Sequence, residues 1–210
     1  MNNLRQLTMA WKMYAHDNGD RLVQSEPQMF NVAGEPVWVT GDMRNASEAV
    51  DTNRILNSPL FQYVKNTAVF RCPADRSNMD GVPRVRSYSM NWWLNGVKPA
   101  GSQASYRRYQ RYTQITVPDV SRLAVFIDEH EDSLKEGKFF ITLGPTGKFA
   151  ENMPANRRHD YSYTLSFADG HVEAWKLRDP AVRNWKKGDL IPSGQNEDYK
   201  KLSQVCTAPQ

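Results

Sequence analysis

Apolar residues recur at helical spacing at the start of the chain. Leu4, Leu7, Trp11 and Tyr14, with Ala10 and Ala15 beside them, make one stripe, and the spacing predicts an amphipathic helix over residues 3–16. Asn18-Gly19 supplies its stop. Beyond it the pattern changes to short apolar runs broken by Gly, Pro and polar residues. The stretch up to about residue 45 reads as loop-rich, with a short strand over 36–40. Residues 58–64 read as a helix start, with Ser58 as N-cap and Pro59 in the first turn. Residues 68–72 read as an extended segment entering a turn at Pro73, and 87–94 as a second short strand. Residues 102–113 read as a polar loop. The continuous apolar run 123–127 has strand length and predicts a central strand, and 138–142 predicts another.

The hairpin signal is the sharpest. Asp169-Gly170 suits a two-residue type I′ turn, whose central residues both need positive φ, between strands spanning about 162–176. That register sets Ala168 opposite His171, Phe167 opposite Val172, Ser166 opposite Glu173 and Leu165 opposite Ala174. Leu165, Phe167, Val172 and Ala174 then share one face, and Thr164, Ser166, His171, Glu173 and Trp175 the other. Residues 177–210 read as a polar C-terminal tail. The sum is an α+β fold: an N-terminal helix packed on an antiparallel sheet, loop-rich, as a single domain over 1–210.

Composition adds bounds. Apolar residues are 40% and aromatics 11%, enough for a core. Twelve Gly and twelve Pro argue against a helical bundle. A net charge of +4 is mild for a nucleic-acid binder. The basic-aromatic run Arg107-Arg108-Tyr109-Gln110-Arg111-Tyr112 reads better as a solvated loop or strand face, so nucleic acid is not expected as a partner. No stretch approaches the roughly 20 apolar residues of a membrane span. Cys72 and Cys206 lack the spacing of a redox or zinc motif. A disulfide between them, worth about 4–5 kcal/mol in the chain-entropy model, and two free buried thiols fit the sequence equally.

Candidate chemistry gathers in two places. Asp128, Glu129, His130, Glu131 and Asp132 follow the central strand, and His159, Asp169 and His171 flank the hairpin. If the hairpin packs beside 123–127, the set Asp128, Glu129, His159, Asp169 and His171 converges. Two histidines with carboxylates suit zinc, and oxygen ligands alone suit calcium. A structural reading competes and needs no cofactor. Asp169 suits the turn through Asx hydrogen bonding, Gly170 through positive φ, and His159 through a bond to backbone or to Asp169 that orders the loop. Nucleophilic catalysis is weakly supported: there is no G-x-S-x-G elbow, although Ser166 falls on the predicted polar face near His171 and Glu173. Trp38, Trp92 and Trp93 suit either an aromatic ligand groove or packing, and packing is the better expectation.

His159, nine intervening residues, then Asp169-Gly170 resembles the H-X9-DG signature of a family of prepilin-like proteins, themselves similar to the pseudopilins of type II secretion systems. Residues 2–7 through 13–18 resemble that family's helix just after its membrane segment. Phe70-Arg71-Cys72-Pro73-Ala74-Asp75 resembles its "CPSD" stretch, and Ser87-Tyr88-Ser89-Met90-Asn91 the block that follows. The order matches the family's over most of the chain.

The resemblance implies a pilin-like fold and a non-catalytic structural subunit of a pseudopilus-like filament or secretion apparatus. Its partners would be other such subunits and apparatus proteins. It also implies an inner-membrane anchor preceding Met1, so that this chain is the soluble periplasmic head of a longer protein. Calcium sites occur in some pseudopilins of this kind. Two alternatives stand beside it: a metal-dependent hydrolase built on the Asp128, Glu129, His159, Asp169 and His171 cluster, and an envelope ligand- or carbohydrate-binding module built on the tryptophans.

Overall fold

The computed structural model describes residues 1–26, 35–190, 192 and 194–210. Part of the stretch read as loop up to residue 45, and two positions of the C-terminal tail, lie outside the described residues. Helix α1 (Asn2–Asp17) forms where the apolar stripe predicts it, and Leu4, Leu7, Ala10, Trp11, Tyr14 and Ala15 are buried. Fully burying a side chain of leucine size is worth about 1.5–3 kcal/mol relative to exposure. Thr8, polar but fully buried on the same face, is satisfied: its Oγ1 donates to Ser166 Oγ at 2.6 Å. Asn18 Nδ2 donates to Tyr14 O at 2.8 Å, and Gly19 takes a φ of 62°, closing the helix.

Three one-turn helices follow: α2 (Ala46–Ala49), α3 (Asn53–Leu56) and α4 (Phe61–Val64). The strands are β1 (Asn78–Met79), β2 (Val82–Pro83), β3 (Tyr88–Asn91), β4 (Ala124–Asp128), β5 (Lys138–Phe139), β6 (Ile141–Thr142), β7 (Lys148–Phe149), β8 (Ser162–Phe167) and β9 (Val172–Lys176). Two C-terminal helices, α5 (Pro180–Arg183) and α6 (Glu197–Cys206), complete the elements. The main sheet runs β5-β3-β4-β8-β9. All its pairs are antiparallel except β3–β5, so the sheet is mixed.

Strand β4 is central and buried at every position, as its continuous apolar run predicts. Its pairing with β8 slips between Ala124 and Ile127, which places an extra residue in β4. Val125 and Phe126 therefore both join the cluster under α1, while Ala124 and Ile127 join the cluster on the other face. That second face is covered by Tyr199, Leu202, Val205 and Cys206 of α6. The C-terminal region is thus a packed layer rather than a free polar tail.

Several sequence expectations are corrected. Residues 67–70 form a 3-10 turn, because Asn66 accepts from Ala68 N and winds the backbone. The expected strand over 36–40 reduces to a single bridge between Gln24 and Val37. Ser58 caps a turn before α4 by accepting from Leu60 N at 3.1 Å. The strand expected over 138–142 breaks in two, its halves pairing with β3 and with β7. The 102–113 loop holds a 3-10 turn, Gly101–Ser105, and buries Tyr109.

The hairpin exists, but one residue out of the expected register. Ser166 faces Val172 and Leu165 faces Glu173. Ala168, Asp169 and Gly170 form a three-residue loop: Gly170 N donates to Phe167 O at 2.9 Å, and only the glycine has positive φ, at 109°. A one-residue slip exchanges faces. Val172 accordingly joins the cluster under α1, while Trp175 packs with Leu165 and Phe167 on the other side.

Candidate functional site

The cluster begins with a turn. Pro73 presets the turn over residues 72–75, and Asp75 N donates to Cys72 O at 2.9 Å. Cys72 N donates to Ser87 Oγ at 2.7 Å, tying the turn to the start of β3. Strand β4 delivers Asp128 at its end, fully buried. The chain before β8 delivers Arg158 and His159, of which Arg158 is buried and His159 exposed.

Arg158 organises the charges. Its Nη1 donates to Asp128 Oδ1, and at 3.1 Å to Glu129 O. Its Nη2 lies 3.1 Å from Asp75 Oδ1 and 3.4 Å from Glu131 Oε2. Burial works against the guanidinium charge, but Asp128, Asp75 and Glu131 outweigh it and hold the group above its ordinary value. Burial also pushes the Asp128 carboxyl up, to about 6, against the pull of Arg158.

Cys72 and His159 meet beside this network, with Sγ 3.1 Å from Nε2. Cys72 Sγ, one carboxylate oxygen of Asp128 and one ring nitrogen of His159 all lie within 4.8 Å of one another. Burial, and after it Asp128, pushes the Cys72 thiol up to about 11, the opposite of an activated nucleophile. Partial burial lowers His159, which favours the neutral ring. His159, Asp160 and Tyr161 take successive φ values of 49°, 54° and 57°. Left-handed backbone costs about 1–2 kcal/mol for each such residue, so the chain bears strain where it presents His159. A cavity of about 480 Å³ adjoins the cluster, lined by the 73–77 turn, Glu131 and residues 157–159.

The five residues expected to converge are therefore divided. Asp128 and His159 come together. Asp169 and His171 sit at the far end of β8, a six-residue strand, so about 20 Å away at the usual rise. There His171 Nδ1 lies 2.7 Å from Asp169 Oδ1, and His171 N donates to the same oxygen at 3.0 Å, which is the Asx role expected of Asp169. The expected bond between His159 and Asp169 does not form. Glu129 turns inward, accepting from Ser133 Oγ and Asn152 Nδ2, each at 2.8 Å, and burial raises it to about 8.

Ser166 is occupied structurally, accepting from Thr8 Oγ1 and Phe126 N. Trp38 and Trp93 are buried, and Trp92 is only 9% exposed, so the tryptophans form no open platform. Cys206 lies in the cluster opposite the one that holds Cys72, and both thiols are free, so the pairing considered from the sequence is not made. Within the basic-aromatic run, Arg107 Nε donates to Pro209 O and Arg111 Nη1 to Gly19 O.

Asp75, Arg158 and the role of Cys72 are what the sequence reading missed. A signal was present: Cys72 and Asp75 belong to one of the stretches carrying the family resemblance, and His159 opens another. The fold brings these two stretches into contact. In comparisons with known proteins, no family model, no curated protein and no solved structure matches the chain. No helix among the described residues is long and apolar enough to cross a membrane.

Proposed function

We propose that this chain is the globular head of a pseudopilin-like structural subunit, held in the cell envelope by a membrane segment preceding α1 and acting by assembly rather than catalysis. The observation that carries this reading is the two-sidedness of α1. One face is sunk in the core, while the opposite face exposes Met9 and Met13 at 53% and 45%. Two of the nine large apolar side chains exposed among the described residues thus lie on this one helix, and a third, Met1, caps its start. Met9 and Met13 are one turn apart, so they form a ridge of the kind that packs into a neighbouring helix, and methionine adapts well to such contacts. The family resemblance and the helix-on-sheet architecture support the same reading.

The test is cross-linking in the envelope. The protein, expressed with the membrane segment proposed to precede α1, carries Met9→Cys or Met13→Cys and is oxidised in membranes. The expected result is a disulfide-linked dimer, since each subunit offers one exposed thiol, absent when cysteine is placed instead at exposed Lys187, far from α1 in the sequence. Monomers alone at both helix positions would reject assembly through α1.

A further inference from the structure

We propose that Cys72, Asp128 and His159 form a binding site for a divalent transition-metal ion of the zinc class, its fourth position open to the adjoining cavity. The site goes beyond the assembly reading and does not depend on it. The donor set is thiolate, imidazole and carboxylate, which selects zinc-like ions over calcium or magnesium. Zinc bond lengths of about 2.0–2.3 Å give a tetrahedron with edges of about 3.5 Å. The 3.1 Å separation of Sγ and Nε2, and the 4.8 Å limit across the three donors, bracket that edge.

An independent observation points to a ligand. Asp128 Oδ2 is buried and has no hydrogen-bond partner, while Oδ1 is taken by Arg158. Cys72 lies near enough to favour the carboxylate, but no bond of good geometry reaches Oδ2. A buried carboxylate oxygen left bare costs free energy, and a metal ion would satisfy it. Charge agrees: Asp75, Asp128 and Glu131 face Arg158, and Asp75 also lies 3.6 Å from Arg71, so three carboxylates meet two guanidinium groups and one negative charge is left for a cation to balance. Arg158 fixes the carboxylate's orientation, as groups behind metal ligands do. Binding would transfer the Cys72 proton to solvent and leave the thiolate on the metal.

Cobalt serves as the probe because thiolate ligation gives it a near-ultraviolet sulfur-to-metal absorption. The whole chain, stripped with a chelator, is titrated with Co2+ and then challenged with Zn2+. The expected result is one equivalent bound, with sulfur-to-cobalt absorption that Zn2+ abolishes. Cys72→Ser removes that absorption and Cys206→Ser keeps it. His159 is exposed, so His159→Ala is expected to fold, and it weakens Co2+ binding at least about tenfold. It also removes the rise in Tm that Zn2+ gives the unaltered protein. Absence of stoichiometric binding, or binding that His159→Ala leaves unchanged, overturns the proposal. Should Cys72→Ser fail to fold, the His159→Ala titration alone decides.

Discussion

The two ends of strand β8 hold similar residues in opposite surroundings. Before the strand, His159 neighbours an arginine and carboxylates, and Arg158, Asp75 and Asp128 have side chains at most 4% exposed. After it, His171 sits between Asp169 and Glu173, all three side chains more than a third exposed or close to it, at 38%, 35% and 47%. Water screens the second group, and exposed pairs of this kind contribute about 0–1 kcal/mol. The first group has lost its water, so each charge depends on its partners. A shared list of His and acidic residues therefore says little about role; burial decides it.

Breaking each end in turn gives the largest contrast. Arg158→Met leaves Asp128 buried without its counter-charge and Asp75 with only Arg71, 3.6 Å away, and the expected loss is about 3–5 kcal/mol in urea unfolding. His171→Ala removes an exposed pair and a ring stacked on Phe167 at 4.2 Å, for an expected loss of about 1 kcal/mol. Equal losses would show that the two ends do not differ as their burial indicates.

The same contrast explains what the sequence made legible. Helix α1 was readable because one face meets solvent, so its apolar stripe stands out. Strand β4 was readable because it is apolar throughout. The register of β8 with β9 was not. Positions 163–167 of β8 are all buried, Thr164 and Ser166 included, so alternation of polar and apolar residues carries no information about facing. Asp-Gly also suits both a two-residue turn and a three-residue loop. At the site, Asp128 and His159 were identifiable as candidates. Their joining to Cys72 and Asp75 depends on β4 and the 72–75 turn packing together, which no local spacing encodes.

Smaller changes sharpen the contrast at the exposed end and at mid-strand. Gly170→Ala meets no atom within 4 Å of the added carbon, so its whole cost is the φ of 109°. The expected loss is about 1–2 kcal/mol, read as a lower urea midpoint with unchanged slope. Between the two ends, Thr8 joins α1 to β8 through its bond to Ser166. Thr8→Val is expected to cost about 1 kcal/mol, since Ser166 Oγ keeps the Phe126 amide as a donor. A negligible effect would mean that apolar packing alone seats the helix on the strand.

The weakest expected effect is a pH dependence at the exposed end. Glu173 is held below its ordinary value, first by the hydrogen bond that Trp175 Nε1 donates to it and, against the opposing effect of burial, also by His171. A carboxyl held lower in the folded state stabilises the protein fully above its unfolded value, and that contribution disappears as pH falls through the folded value. Glu173→Gln should therefore flatten the loss of stability as pH falls below the ordinary carboxylate range, leaving the curve above that range parallel to the original. With nearly half of the side chain exposed, solvent screening holds the difference under about 1 kcal/mol. Urea midpoints across that acidification measure it. A larger difference would mean that the tip of the hairpin is shielded from water, and would make the two ends of β8 more alike than their burial indicates.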